Sequence, residues 1–184
     1  MDPDSLALVL INDSICDRHV TWKVERRTLG GAVLAQQVFH VDIERLSKRT
    51  LLLNDDVAVC SDPYNELLVA TPNGQGISNP TFARTVYDFA EVIDQHLNPN
   101  PLSVQAKTCT DGYLLEITAN AYARDIFCMV DKIDSSASID GGMVSLLPGE
   151  SLRWHIASRK KVDPQGFAKK RVLRCANDLR ECHQ

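Results

Sequence analysis

The 184-residue chain is 44% hydrophobic and 24% charged, the balance of a globular protein with room for one large domain or two small ones. Its formal charge of −4 argues against nucleic acid as a bulk partner, although residues 153–184 hold nine Lys/Arg against three Asp/Glu. A basic end is either a phosphate-binding patch or, the plainer reading, the solvated edge of late strands where lysine blunts edge-to-edge pairing.

Leu6 to Ile11 is the first predicted strand, stopped by the turn formers Asn12-Asp13-Ser14. Val20 to Arg27 is the second, with Val20, Trp22 and Val24 on one face and Thr21, Lys23 and Glu25 on the other. Leu29-Gly30-Gly31 closes a hairpin into Ala32–Phe39, and Val41–Ile43 and Thr50–Leu53 form two further short strands. Glu66–Ala70 and Phe82–Phe89 complete a first group, with an exposed Gly/Asn/Pro-rich loop over Thr71–Pro80 between them. The spacing of Val and Phe in Ala83–Ile93 also suits a helix, but Thr85, Val86 and Tyr87 favour strand.

Asp94–Pro101 carries two prolines and reads as an extended linker. Beyond it Leu102–Ala106 alternates, Tyr113, Leu115, Ile117 and Ala119 line one face of the next strand, and Ile126–Val130 is apolar throughout, as a central strand would be. Gly141-Gly142 is expected at positive φ in a tight turn before a strand over Met143–Leu147. Pro148-Gly149 suits the centre of a type II turn, with Gly149 at positive φ. Ser151–Ile156 leaves that turn with Leu152, Trp154 and Ile156 inward, and Arg171–Cys175 closes the second group. Many short strands with turn signals indicate an all-β protein: two tandem immunoglobulin-like antiparallel sandwiches, over residues 1–97 (one reading of which omits the first strand of the fold) and 98–184.

Six cysteines, Cys16, Cys60, Cys109, Cys128, Cys175 and Cys182, form no C-x-x-C pair. Asp2 and Asp4 stand where a signal peptide would be basic, and Leu6–Ile11 is too short to span a membrane. Reduced thiols in a cytoplasmic protein are therefore expected, and Asn12-Asp13-Ser14 is a turn, not a glycan site.

Certain short stretches resemble the C-terminal immunoglobulin-like region of β-mannosidases of glycoside hydrolase family 2. They are Leu10-Ile11-Asn12-Asp13-Ser14, Glu66-Leu67-Leu68-Val69-Ala70, Gly112–Ala119, Tyr122–Phe127, Leu146-Leu147-Pro148-Gly149-Glu150 and Asn177-Asp178-Leu179. The segment before the Pro-Gly corner, Ser138–Met143, departs from the polar, aromatic-rich pattern usual in that family. In such enzymes two glutamates on a (β/α)8 barrel carry out retaining hydrolysis, and that barrel would precede Met1. The resemblance implies a non-catalytic accessory region whose partners are the barrel and other domains of a parent glycosidase that hydrolyses terminal β-mannosides.

The residues themselves supply no catalytic apparatus: no nucleophile elbow, zincin or phosphate-loop motif occurs, and Gly74-Gln75-Gly76 lacks the strand-to-helix context of a dinucleotide site. Glu116 and Glu150 are the carboxylates to weigh for glycoside hydrolysis, but Glu116 falls on an outward face and Glu150 in a turn, pointing to solvent. Trp22 and Trp154 could stack on sugars, yet both alternate with core residues. His19, His40, His96, His155 and His183 lack ligand spacing, and Asp55, Asp56 and Asp62 suit backbone capping better than Ca²⁺. No catalytic residue, cofactor or metal site is expected. The alternative is a stand-alone carbohydrate- or protein-binding module, marked by an exposed row of aromatic rings on a sheet face.

Overall fold

The computed structural model describes residues 6–72 and 83–183. The chain divides into two compact units, one running to Thr28 and resuming over Ala32–Gln95, the other taking Leu29–Gly31 and everything from His96 onward. Both are antiparallel all-β sandwiches. No helix among the described residues is long and apolar enough to cross a membrane.

In the first unit, β1 (Ala7–Asn12) pairs with β4 (Ser47–Leu52), while β2 (Arg18–Thr28), β3 (Val33–Ile43), β5 (Glu66–Pro72) and β6 (Thr85–Asp88) form a sheet in the order β3-β2-β5-β6. The two sheets enclose Leu10, Trp22, Val24, Val41, Ile43, Val57, Leu68 and Ala70. Val41–Ile43 is not a separate strand. It continues β3 to eleven residues, because its partner β2 is equally long and stays in register from Val20↔Val41 to Arg18↔Ile43. The expected Phe82–Phe89 strand survives as four described residues, since β5 offers β6 only Leu67–Ala70 as partners. Phe82 itself, most of the Thr71–Pro80 loop and Gly74-Gln75-Gly76 lie outside the described residues. A single helical turn, α1 (Asp55–Ala58), opens after Asn54 and buries Val57 completely.

Asn12 organises the first turn. Only 4% exposed, its amide donates to the carbonyls of Cys16, Ile43 and Glu44 and its Oδ1 accepts from Ser14 N–H and Oγ–H. With every amide hydrogen committed, this asparagine belongs to the fold and not to a glycan.

The second unit is a seven-stranded sandwich. β7 (Leu102–Cys109), β8 (Gly112–Ala119), β10 (Ser138–Ile139) and β12 (Ser151–Ala157) make one sheet in the order β10-β12-β8-β7, and β9 (Ala123–Cys128), β11 (Val144–Leu146) and β13 (Leu173–Arg174) the other, with β9 central. Tyr113, Leu115, Ile117 and Ala119 are all buried, as their alternation requires. They face Ala123, Ile126 and Leu146 across a core that includes Trp154, Ile156 and Phe167. β9 carries a bulge between its partners Val144 and Leu146. Asp125 takes the left-handed φ of 51° there, held by Ser145 Oγ accepting from its N–H, and Asp is among the few residues that tolerate that region.

Leu147–Glu150 is a type II turn: Glu150 N–H donates to Leu147 O at 3.0 Å and Gly149 sits at φ +86°. Gly141-Gly142, by contrast, does not use positive φ; among the described residues the glycines that do are Gly31, Gly112 and Gly149. Gly141 is needed for a different reason. The Trp154 indole lies over it, and a Cβ there would overlap the ring, whereas one at Gly142 or Gly149 would meet nothing. Asp94–Pro101 contains the boundary between the two units, after Gln95, and is anchored within each of them. Gln95 is buried and donates to Asp88 Oδ1, and the Asn98 carbonyl accepts from Asn177, itself fully buried. Asn177 also donates to Tyr122 O and accepts from Arg124 N–H, so Asn177-Asp178 is a structural knot, not an exposed tail.

These two kinds of glycine separate by mutation. Urea melts should show Gly142→Ala near neutral and Gly149→Ala costing about 1–2 kcal/mol through backbone strain alone. Gly141→Ala should cost about 1–3 kcal/mol by overpacking and shift tryptophan emission as the Trp154 ring is displaced. Gly141→Ala as mild as Gly142→Ala would refute the contact.

Candidate functional site

The outward parity of β7, β8 and β12 builds a polar face on the second unit. Gln105 and Arg153 stand opposite Glu116 on either side. Glu116 accepts from Lys107 Nζ through one oxygen and from Arg153 Nε, at 3.0 Å, through the other. The Lys107 hydrogen bond, aided by the charge of Arg153, holds its carboxyl below the ordinary glutamate range. A general acid needs the opposite shift, so this carboxylate neutralises two cations and stores no proton. Thr118 and Ser151 continue the face with a hydroxyl pair at 2.8 Å.

Glu150 departs from the expected solvent-facing role. Its Oε2 accepts from Leu147 N–H at 2.7 Å, closing the Pro148-Gly149 corner from the side-chain direction. Its backbone carbonyl accepts from Ala119 N–H at the end of β8, three residues on from Glu116, and its carboxylate is committed to the corner. The two weighed carboxylates are not brought together.

Two glutamates not weighed for chemistry in the sequence are buried among the described residues: Glu66, and Glu25, which alternation places on the face away from the core. Glu66 accepts from Arg26 Nη1 at 2.6 Å, Cys60 Sγ at 3.4 Å and Ser61 N–H at 3.4 Å. Burial opposes its ionisation, but the hydrogen bonds from Arg26, Cys60 and Ser61 outweigh burial and lower its pKa. Burial together with the Glu66 carboxylate pushes the Cys60 thiol up to about 11, so it is no nucleophile. Glu25 bonds Arg27 at 2.8 Å and Lys23 at 3.0 Å. Glu66 lies opposite Thr28 and Glu25 opposite Val69, so they occupy opposite faces of one sheet and cannot flank a glycosidic bond.

The remaining candidates fall into place as structure. Trp22 and Trp154 are 3% and 7% exposed, inside their cores and unable to stack on a sugar. Asp62 accepts from Tyr64 N–H and Asn65 Nδ2, capping its own turn, while Asp55 and Asp56 sit exposed in the first turn of α1. Cys16, Cys60, Cys109, Cys128 and Cys175 are free thiols. His19 pairs with Asp42, and His40 with Thr21. A shallow groove of about 330 Å³ on the first unit is lined by Ile11, Asp13, Leu46, Ser47 and Lys48, a set without paired carboxylates.

One grouping brings a histidine beside two other donor side chains. Where the β7–β8 hairpin turns, Cys109, Asp111 and His155 converge with their donor atoms within 4.8 Å of one another. His155 Nε2 lies 2.9 Å from Asp111 Oδ1, and Cys109 Sγ 3.8 Å from the same oxygen. Sequence spacing hid this, because His155 is forty-four residues from Asp111 and arrives only through the pairing of β12 with β8.

No family model matches the chain, and no curated protein does. Solved structures share its fold. A β-D-mannosidase from Dictyoglomus thermophilum matches 94% of this chain at a TM-score of 0.56 and 15% identity, over 21% of its own length. An exo-chitosanase from Amycolatopsis orientalis matches 93% of this chain at a TM-score of 0.53 and 15% identity, over 24% of its length. The chain therefore spans about a quarter or less of these glycosidases.

The roles given to the glutamates set an acid response. Glu66 has a lowered folded pKa, so its contribution is present above the unfolded value near 4.5 and is lost as pH falls through the folded value. Urea stability of the wild type should decline from about pH 5 to pH 3. Glu66→Gln should be destabilised by about 3 kcal/mol at pH 7, as when one partner of a buried pair is removed, with a shallower acid slope. Glu150→Ala should cost about 0.5–1.5 kcal/mol, the value of its hydrogen bond to the turn.

Proposed function

We propose that this chain is a non-catalytic C-terminal accessory region of a β-mannosidase-like glycoside hydrolase of family 2, buttressing a (β/α)8 barrel that carries the catalytic glutamates. The observation that carries the reading is a pairing of coverage and chemistry. Nearly the whole chain shares its fold with a minor part of a β-mannosidase and of an exo-chitosanase. The glutamates weighed for hydrolysis and the two buried ones, meanwhile, are spent on ion pairs and a turn. The stretches Leu146–Glu150 and Asn177-Asp178, which carry the resemblance, support it further: both fix corners of the second sandwich. Its partners on this reading are the barrel and other domains of the parent enzyme, with no nucleic acid or membrane, and the setting is cytoplasmic.

The stand-alone sugar-binding alternative draws less support, since Trp22 and Trp154 are interior. Of the half-exposed rings, Tyr64 sits in a loop of the first unit and Tyr87 on β6, where it packs edge-on against Phe89.

Two measurements test the proposal. The purified chain should release no more nitrophenol from aryl β-mannoside or β-glucosaminide than buffer does, and should not be retarded in gels containing mannan or chitosan. An antibody to the chain should detect, in its native source, a polypeptide several times longer that carries β-mannosidase activity. Turnover by the isolated chain, or a native protein of only this length with no glycosidase attached, would overturn it.

A further inference from the structure

The geometry points to a divalent transition-metal site at the tip of the β7–β8 hairpin, with Cys109 Sγ, Asp111 carboxylate and His155 Nε2 as ligands and Zn²⁺ as the ion whose chemistry fits. The donor set decides the class of ion. Mg²⁺ and Ca²⁺ take oxygen ligands, whereas one thiolate, one imidazole and one carboxylate form the mixed set that tetrahedral Zn²⁺ accepts. Bond lengths of about 2.3 Å to sulfur and 2.0–2.2 Å to nitrogen and oxygen place tetrahedral neighbours about 3.3–3.6 Å apart. The Asp111–His155 separation of 2.9 Å and the Cys109–Asp111 separation of 3.8 Å bracket that range. The third pair lies within 4.8 Å, so closing all three onto one ion requires movements of about an ångström of side chains that are half-buried or exposed.

The backbone holds the ligands in place before any ion arrives. Cys109 is paired with Gly112 across the hairpin, which fixes Thr110-Asp111 as its two-residue tip. Gly112 presses so closely on the Ile156 carbonyl that a Cβ there would overlap it, which draws the hairpin tip against β12 beside His155. His155 is clamped on its outer edge by Asp140, whose Oδ1 accepts from His155 N–H at 2.7 Å and whose own N–H donates to His155 O at 3.1 Å. Three ligands on a braced strand pair, with Asp111 open to solvent, leave a fourth position for water. On binding, the Cys109 thiol proton leaves to solvent and the thiolate takes its place on the metal.

Cobalt is the spectroscopic probe. Titrating Co²⁺ into the intact chain, kept reduced with a phosphine, should give one equivalent bound, visible-region bands of a tetrahedral ion and a thiolate-to-cobalt charge-transfer band, all displaced by Zn²⁺. Cys109→Ser should abolish the charge-transfer band while Cys16→Ser leaves it intact. His155→Gln and Asp111→Asn, which keep the thiol, should each weaken Co²⁺ at least tenfold, with far-UV circular dichroism unchanged. No charge-transfer band in the wild type, a band that survives Cys109→Ser, or affinity unmoved by His155→Gln would each overturn the site.

Discussion

The pairing of β8 with β7 on one side and β12 on the other is the constraint on which the second sandwich depends. Eight consecutive residues of β8 are in register with β7, from Leu102↔Ala119 to Cys109↔Gly112, and seven with β12. A slip of one residue would turn Tyr113, Leu115, Ile117 and Ala119 out to water and Leu114, Glu116 and Thr118 into the core. Burying a glutamate in place of an isoleucine makes that slip prohibitive, so the core and the polar face are two consequences of one register. The Lys107–Glu116–Arg153 bridge, the Thr118–Ser151 pair and the convergence of His155 on Asp111 all follow from it.

Around the sheets, side chains satisfy the backbone where ladders end. Asn12 gathers three carbonyls at the first turn, Glu150 takes a turn amide, Asp134 accepts from Ser136 and Ser158, and Asn177 ties three segments together. A buried carbonyl or amide without a partner costs more than a made hydrogen bond gains. These asparagines and acids are thus as firmly required by the fold as the leucines beside them.

The functional reading rests on the same point. A sandwich of this kind is a scaffold that many proteins share, and chemistry is decided by sites. Here the two buried glutamates are locked to arginines on opposite faces of a sheet, and both indole rings are interior. These placements are the ground on which the accessory role is proposed.

Period-two alternation in the sequence determined most of the strands and the inward placing of Trp22, Trp154 and the Tyr113–Ala119 row, and the dihedral preferences of Pro and Gly determined the Pro148-Gly149 turn, because these depend on residues adjacent in the chain. Tertiary structure alone decided the rest. It merged Val41–Ile43 into β3 and cut the expected Phe82–Phe89 strand to four described residues, since strand length is set by the partner. Glu150 was turned onto its own corner, and Gly141 was reserved for the Trp154 ring rather than for a positive φ. His155 reached Cys109 and Asp111 only through strand pairing. Local pattern fixes which face a side chain takes; which distant residue meets it there depends on register between strands, and no window of neighbouring residues contains that information.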